Sequence, residues 1–310
     1  MKIKHLFALL LLEGLTLTSL ATAGEEQAFH GIAGRWLTNA VAEAFVSGTP
    51  CPRIVAFRLK GGESPLRIST TDPFFGVRVW FMEPAQNEQS PLPALRPATL
   101  ELLPSAALRL TGSNEPVSGL QLTMEAALDP GLPVLRLRYG LKNLRVQRRR
   151  LAVWAIVALP HAGVGFAPWR APGSGAASSM LAYPGSSPAD PCVRVGEKGL
   201  GIDFRVFPGR GQIKIGTSSD AGWAGYGWSG HVLKSTADIV KGADYPEGGA
   251  TITMYQCGKA ASEGFCEIEH AGPLCDVGPG ESAWMSHQLE LRTGIKPATD
   301  SVDGWLDAVR

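Results

Sequence analysis

Short segments in which apolar and polar residues alternate dominate the chain. In 120–126, Leu, Met and Ala alternate with Gln, Thr and Glu, and the same period of two recurs in 135–141. Because successive side chains of a strand point to opposite faces, this period predicts half-buried β-strands. The segment 151–159 is continuously apolar, which predicts a strand buried on both faces.

The same patterns predict many further strands and one helix. The helix candidate is 301–309, where Ser301 can cap the N-terminus and Val302, Trp305 and Leu306 fall on one side. The segment 160–192 is rich in Gly, Pro, Ser and Ala, which predicts a long surface excursion or a loop that shapes one wall of a site. The other strand candidates are 41–46, 53–60, 77–82, 99–103, 106–111, 200–207, 212–217, 231–238, 250–256, 264–270 and 283–292. So many strands favour an all-β fold of stacked antiparallel sheets with a short C-terminal helix.

Composition narrows the fold and function classes. The 310 residues include 37 Gly and 23 Pro, which argues against an all-helical protein because both residues destabilise helix interiors. The net charge is only +1. The charge therefore provides no electrostatic footprint for nucleic-acid binding.

The first 23 residues have the pattern of a signal peptide. Lys2 and Lys4 precede the apolar run 6–12, and Ala21 and Ala23 give the small residues that a signal peptidase recognises. The apolar run is too short for a permanent membrane anchor. We therefore expect a single mature domain, 24–310, that is periplasmic or secreted and monomeric.

Export would place the five cysteines in an oxidising compartment. Cys257 and Cys266 bracket the end of a predicted hairpin, so we expect a disulfide between them. Cys51 with Cys192 is a second pairing, supported only by neighbouring prolines. The spacings do not fit a zinc site, and no motif indicates a cofactor.

Acidic, aromatic and histidine residues supply the candidate chemistry. Glu267 and Glu269 project from one face of a predicted strand, where they could orient sugar hydroxyls or move protons, or be ordinary solvated glutamates. Tyr226 and Trp228 share a face beside glycines and could form a platform for a sugar ring. Trp223 could belong to that platform or to the core.

Histidines divide into two groups. His161 directly follows the apolar strand 151–159 and could reach a cleft as an acid near neutral pH. His287 alternates with Met285 and Leu289, which favours a hydrogen-bonded core residue.

A succession of short motifs resembles a bacterial family of unknown function within the galactose-mutarotase-like superfamily. The order of these motifs is more specific than any single one. They are Pro52-Arg53-Ile54-Val55-Ala56-Phe57, Gly61-Gly62, Phe75-Gly76-Val77-Arg78-Val79-Trp80 with Pro84 and Gln86, 143–154, Gly222-Trp223, Tyr245-Pro246-Glu247-Gly248-Gly249, Glu267-Ile268-Glu269, Gly272-Pro273-Leu274 and Pro279-Gly280-Glu281.

The resemblance implies a β-supersandwich whose concave sheet binds carbohydrate. Arg78 and Trp80 fall on that sheet by the motif match, and Arg53 becomes a candidate partner for sugar hydroxyls or carboxylates. Aldose epimerases of the superfamily use a glutamate base and a histidine acid. Glu267 or Glu269 matches the location of the base, and His161 follows the strand where the acid is needed.

Three functional hypotheses follow. The first is a secreted or periplasmic carbohydrate-binding protein without established catalysis. The second is an aldose 1-epimerase-like isomerase, or another sugar-processing enzyme, that uses these Glu and His residues. The third is a structural protein of the cell envelope that retains the fold without the site.

Overall fold

Two antiparallel sheets, packed face to face on a shared apolar core, make up the fold. The computed structural model describes residues 21–84, 88–169, 180–208, 211–260 and 263–309. The strands within these ranges are β1 (Thr22–Phe29), β2 (Ile32–Thr38), β3 (Ala42–Ser47), β4 (Arg53–Leu59), β5 (Val77–Glu83), β6 (Glu88–Ser90), β7 (Ala98–Leu102), β8 (Leu108–Gly112), β9 (Leu120–Leu128), β10 (Val134–Asn143), β11 (Arg149–Leu159), β12 (Val164–Pro168), β13 (Met180–Ala182), β14 (Val193–Val195), β15 (Gly199–Asp203), β16 (Gln212–Thr217), β17 (Trp223–Trp228), β18 (His231–Ala237), β19 (Ile252–Cys257), β20 (Phe265–Ala271), β21 (Cys275–Val277) and β22 (Ser282–Thr293).

One sheet has twelve strands and the other has ten. The larger sheet follows the order β1-β2-β3-β4-β5-β11-β20-β19-β16-β13, with β6 paired to β5 and β21 to β11. The smaller sheet follows the order β14-β15-β12-β17-β18-β22-β10-β9-β8-β7. The predicted all-β sandwich is therefore confirmed.

The alternating segments form strands with one face in the core and the other in solvent, as their period of two predicts. In β9 and β10 the apolar residues face the shared core between the sheets, while Arg136 and Arg138 point to the exterior. Strand β11 is buried on both faces as predicted. Val153 and Val157 of β11 enter the shared core, and Trp154 and Ile156 pack on the opposite face. We call this outer face the concave face, after the shape that the resemblance predicts for it.

The short helical segments are α1 (Pro246–Gly249), a single turn in which Glu247 and Gly248 have non-helical dihedral angles, α2 (Val302–Val309) and a 3-10 turn, Leu92–Leu95. Ser301 caps α2, since its Oγ accepts a hydrogen bond from the Gly304 amide at 3.0 Å. Trp305 of α2 stacks on Phe166 with ring centroids 5.8 Å apart. The predicted C-terminal helix is thus confirmed, packed on the ten-stranded sheet.

Part of the predicted surface excursion is a core strand. All five residues of β12, Val164–Pro168, are buried in the ten-stranded sheet. Its neighbour Gly225 allows this, because a Cβ there would lie 2.4 Å from the Phe166 ring. Residues 170–179 of the same segment lie outside the described residues, as does most of the predicted signal peptide.

The predicted Cys257–Cys266 disulfide is wrong, and strand register gives the reason. Cys257 pairs with Phe265, and Cys266 pairs with Gln256. The two cysteines therefore project from opposite faces of the sheet, Cys266 into the shared core and Cys257 away from it. All five cysteines are free thiols, so Cys51 and Cys192 are not bridged either.

Two negative findings concern membranes and metals. Within the described ranges, no helix has the length and apolar character needed to span a bilayer. The same ranges contain no group of three or more His, Cys, Asp or Glu side chains arranged to hold a metal ion.

A buried polar chain links the two sheets. The Ser235 hydroxyl lies 2.9 Å from His270 Nε2 and 2.8 Å from His287 Nε2, and His287 Nδ1 lies 2.9 Å from the Tyr139 hydroxyl. His287 is thus the hydrogen-bonded core residue that its pattern predicts. Burial lowers the pKa of His270 from its ordinary value of 6.5 to about 4, and it lowers the pKa of His287 as well.

The buried histidines of this hydrogen-bonded series predict that the fold loses stability in acid. Between pH 6.5 and about 4, unfolded His270 binds a proton that the folded chain does not, so stability is lost as the pH falls. The contribution of one such proton is about 1.4 kcal/mol per pH unit. His270→Gln replaces the imidazole with an amide, which can still hydrogen-bond Ser235 but does not titrate. We expect the variant to lose less stability than the parent in urea unfolding across this window, and equal pH slopes would contradict the prediction.

Candidate functional site

Strand register brings charged residues together on the concave face of the twelve-stranded sheet, the face turned away from the shared core. Ile156 of β11 pairs with Arg78 of β5 on one side and with Glu269 of β20 on the other. Thr253 of β19 pairs with Glu269. Because directly paired residues point to the same side of a sheet, these four side chains form one row across four strands.

A second row lies beside the first. Ala158 pairs with Glu267, Glu267 with Tyr255, and Tyr255 with Lys214 of β16. Trp80 and Trp154, which are paired on β5 and β11, border the rows with rings 5.5 Å apart in an edge-to-face arrangement. We call this group the concave-face cluster, and its members are Arg78, Trp80, Trp154, Lys214, Thr253, Glu267 and Glu269.

Each glutamate of the cluster has a basic partner on a different strand. Arg78 donates to Glu267 Oε1, and Lys214 Nζ lies 3.1 Å from Glu269 Oε2. The Thr253 hydroxyl also donates to Glu269. The side chains of Arg78, Glu267 and Glu269 are only 1%, 6% and 3% exposed, so these ion pairs form in a medium of low polarity.

Burial and the paired carboxylates alter the acidity of Glu267. Burial raises the pKa of Glu267 to about 7, and the neighbouring Glu269 carboxylate adds to the rise while Arg78 opposes it. A carboxyl with a pKa near neutrality exchanges a proton readily at physiological pH. Glu267 is thus equipped both to hydrogen-bond a hydroxyl and to accept or return a proton.

Aromatic rings enclose the Arg78 end of the cluster. The Arg78 guanidinium lies 5.5 Å from the ring centroids of both Phe74 and Trp80. Phe74 stacks on Phe265 with centroids 5.1 Å apart. The loop that carries Phe74 is tied down by Arg67, which donates to the Phe74 carbonyl at 2.7 Å.

Several donors of the cluster lack a partner within the described residues. The Nε and one terminal nitrogen of Arg78 and the indole Nε1 of Trp80 are buried without a hydrogen bond. Unpaired buried donors are rare and unfavourable in folded proteins. These donors lie beside the two carboxylates on the same face of the sheet.

Sequence reasoning placed Arg78, Trp80, Glu267 and Glu269 on one concave sheet, and the structure brings these four together. It missed Lys214, Thr253 and Trp154. Strand parity offered a signal for Lys214, because Ile213 and Ile215 on either side enter the core and so turn Lys214 to the concave face.

The predicted aromatic platform lies elsewhere. Trp223, Tyr226 and Trp228 belong to β17 of the ten-stranded sheet, not to the concave sheet. Tyr226 is completely buried in the shared core, and Trp228 stacks on it with centroids 5.3 Å apart. Trp223 packs beside the C-terminal helix. The glycines around them accommodate neighbouring rings, as Gly227 does for Trp305, so they do not expose a sugar-binding surface.

Arg53 is a structural residue, contrary to its predicted role as a ligand partner. Its side chain is fully buried and donates to the carbonyls of Pro52, Ala94 and Pro73 at 2.8, 3.0 and 3.0 Å. Burial lowers the pKa of Arg53 to about 10. Its bond to Pro73 anchors the loop that positions Phe74, so Arg53 supports the cluster from behind.

His161 lies in the turn that directly follows β11. Its ring contacts Phe207 edge-to-face at 5.0 Å. Burial lowers the pKa of His161, although hydrogen bonds with the backbone of Phe265 and Cys257 oppose this. Within the described residues, no hydrogen bond or ion pair joins His161 to Glu267 or Glu269. The predicted acid and base are therefore not in contact in this structure.

Comparisons with solved structures identify the fold. A galactose mutarotase-like protein from Lactobacillus casei aligns with a TM-score of 0.57 and 11% identity, over 83% of this chain and 99% of that chain. A galactose mutarotase-like protein from Clostridium acetobutylicum gives 0.56 and 9%, over 89% and 99%. The chain therefore has the galactose-mutarotase-like fold, as the motif resemblance implied.

The same fold also occurs within a longer protein. A TPR-domain-containing protein from Parabacteroides distasonis aligns with a TM-score of 0.56 and 18% identity, over 86% of this chain and 48% of that chain. This chain thus spans about half the length of that protein. No protein-family model matches the sequence, and no curated protein matches it.

The buried ion pair of the cluster leads to a stability prediction. Arg78→Met leaves the Glu267 carboxylate buried without its cation, and breaking a buried pair typically costs about 3 to 5 kcal/mol. We expect Arg78→Met to lower the free energy of unfolding by this amount in urea titrations at pH 8, where Glu267 is ionised. Arg78→Met combined with Glu267→Gln should recover much of the loss.

Arg148→Met, at an exposed position, is the matched control and should change stability little. A loss for Arg78→Met no larger than that of the control would contradict the prediction.

Proposed function

We propose that the protein binds carbohydrate on the concave face of its twelve-stranded sheet and acts in the periplasm or outside the cell. One observation supports the proposal most directly. Two buried carboxylates lie beside N–H donors of Arg78 and Trp80 that have no hydrogen-bond partner among the described residues. A hydroxyl both donates and accepts hydrogen bonds, so a polyhydroxylated ligand satisfies both sets of groups at once. The extracellular location rests on the signal-peptide pattern of residues 1–23.

The ring systems of the cluster support a sugar over other polyols. Trp80 is half-buried and lies beside Trp154 and Phe74. Sugar rings have an apolar face that packs on an indole, while their hydroxyls reach polar groups at its edge. Two of the solved structures with this fold are named galactose mutarotase-like proteins, which agrees with a sugar as the ligand class.

Stability provides a further argument. Because the pKa of Glu267 is raised from 4.5 to about 7, the folded chain loses stability as the pH rises through this interval. Burial of the Glu267 carboxyl therefore reduces the stability of the fold at neutral pH. Groups that reduce stability in this way are characteristic of binding and catalytic sites.

The raised pKa also favours a second candidate, an aldose 1-epimerase-like isomerase. In that reaction Glu267 would accept the proton of the anomeric hydroxyl as the ring opens and return it as the ring closes. A pKa near 7 suits both directions at neutral pH. A water molecule would protonate the ring oxygen as the ring opens and take the proton back as it closes, because His161 does not contact either glutamate within the described residues.

Replacement of Trp80 tests sugar binding. Trp80→Ala removes the ring that packs on the sugar, and we expect affinity to fall by about 1 kcal/mol or more, roughly five- to tenfold. The sugar is chosen from a glycan array, and the affinity is measured by isothermal titration calorimetry. Trp284→Ala is the matched control, since Trp284 is 40% exposed on the opposite sheet.

Equal affinity of the parent and Trp80→Ala would place the site elsewhere. If the parent binds no sugar on the array or by calorimetry, the structural-protein hypothesis takes precedence.

Glu267→Gln separates binding from catalysis. The amide keeps the shape of the side chain but cannot accept the anomeric proton, so we expect binding to persist. If the parent accelerates mutarotation in polarimetry, the variant should be slower by about a hundredfold or more. The parent rate should rise through a pKa near 7 as Glu267 ionises. A parent without mutarotase activity leaves a binding protein, and an active Glu267→Gln variant excludes Glu267 as the base.

A further inference from the structure

The segment 245–249, which we call the strap, inserts a carboxylate into the concave-face cluster. Glu247 lies in the left-handed region at φ 51°, followed by Gly248 at 75° and Gly249 at 93°. This conformation is unfavourable for a residue with a side chain. The strap thus holds Glu247 in place by its side-chain contacts rather than by backbone preference.

Those contacts form a well-defined carboxylate cradle. Lys214 Nζ lies 3.0 Å from Glu247 Oε1, and the Tyr183 hydroxyl donates to Glu247 Oε2 at 2.9 Å. Lys214 and Glu247 are 15% and 11% exposed in their side chains. The Lys214 ammonium also lies 4.3 Å from the Trp154 ring centroid and 4.8 Å from that of Tyr183. The carboxylate therefore contacts one ammonium and one phenol, and the rings of Trp154 and Tyr183 flank the ammonium.

The cradle is continuous with the proposed sugar site. The same Lys214 ammonium lies 3.1 Å from Glu269 Oε2, so one side chain joins the strap to the glutamate pair. A sugar ring over Glu267 and Glu269 therefore brings its substituents next to Lys214. Two cations, Arg78 and Lys214, face the two sheet glutamates of the cluster, and Glu247 adds a third carboxylate from the strap.

We infer that Lys214 and Tyr183 form a subsite for the carboxylate of an acidic sugar, a uronate, and that Glu247 occupies this subsite in the structure. The inference rests on the proposed function, because it names the class of sugar for the same face. Binding then exchanges one carboxylate for another: the strap withdraws Glu247, and the uronate takes its hydrogen bonds from Lys214 and Tyr183.

A cleft beside the strap provides space into which the strap can move. A cleft of about 820 Å³ lies against Tyr245, Gly248 and Gly249, within the size range of ligand pockets. Leu274 lines this cleft and also packs against the apolar cluster that contains Trp154. The cleft therefore connects the strap to the aromatic border of the sugar site.

The positive charge of Lys214 would let the cradle select an acidic sugar over a neutral one. Burial works against the Lys214 ammonium, but Glu269 and Glu247 together hold the pKa of Lys214 above its ordinary value of 10.5. The ammonium is therefore charged at every pH at which the protein would meet a uronate. A neutral sugar leaves Lys214 without the anionic partner that the strap provides, so a neutral sugar gains nothing by displacing Glu247.

Calorimetry with matched sugars tests the inference. The purified protein is titrated with glucuronate and galacturonate, with glucose and galactose, and with the two hexose 6-phosphates. We expect at least one uronate to bind about tenfold or more tightly than its neutral counterpart, the effect of one charge-assisted hydrogen bond. We also expect it to bind more tightly than the corresponding phosphate, because the cradle holds a planar carboxylate.

Three variants locate the effect. Lys214→Met should remove the preference for the uronate, and Tyr183→Phe, which keeps the ring, should reduce it several-fold. Glu247→Gln removes the competing carboxylate and should raise the preference for the uronate over its neutral counterpart several-fold. Lys142→Met and Glu101→Gln, both at exposed positions, are the matched controls and should behave like the parent.

The outcomes distinguish the inference from the proposed function. Neutral sugars that bind as tightly as uronates overturn the carboxylate subsite and leave carbohydrate binding intact, and so does a preference for the phosphates. A uronate preference unchanged in Lys214→Met, Tyr183→Phe and Glu247→Gln also overturns it. If no sugar binds to the parent or to Glu247→Gln, the proposed function falls as well.

Discussion

Burial of two carboxylates on one face of a single strand is the constraint on which the site depends. Glu267 and Glu269 are two residues apart on β20, so the period of the strand forces both side chains to the same side. Like charges at this separation cannot both ionise in a buried setting without cations nearby. Arg78 from β5 and Lys214 from β16 provide those cations, and the strand order places one on each side of β20.

Other residues around the concave face keep these two glutamates and their cations in position. Arg53, buried and bound to three backbone carbonyls, fixes the loop that carries Phe74 over Arg78. On the other side, Tyr183 and Glu247 enclose Lys214. Three segments distant in sequence, which carry Phe74, Tyr183 and Glu247, thus pack on one cluster, and burial raises the pKa of Glu267. The acidity of Glu267 and the positions of these loops therefore depend on the same buried cluster.

Local pattern predicted most of the fold, because the two-residue period and the apolar run of β11 are properties of neighbouring residues. It also paired Glu267 with Glu269, which lie on one strand. Local pattern could not show that Tyr226 lies in the other sheet. The alternation of residues along a strand shows which side chains share a face, but it does not show to which sheet the strand belongs. Parity within one strand was likewise insufficient for the predicted disulfide, where the pairing of Cys257 with Phe265 decides the outcome. Lys214 and Glu247 meet only through tertiary structure.

The central claim, that a sugar is held against Trp80 on the concave face, has a direct test in the indole N–H signals of the eight tryptophans. Trp80 Nε1 has no partner among the described residues, whereas Trp169 Nε1 and Trp305 Nε1 donate within the chain at 3.0 and 3.2 Å. In two-dimensional ¹⁵N–¹H NMR, a saturating sugar selected on the glycan array should shift the Trp80 signal strongly. The signals of Trp284 and Trp305, which lie with the other sheet, should remain in place. Shifts confined to Trp284, or an unchanged Trp80 signal under saturation, would contradict a sugar site on the concave face.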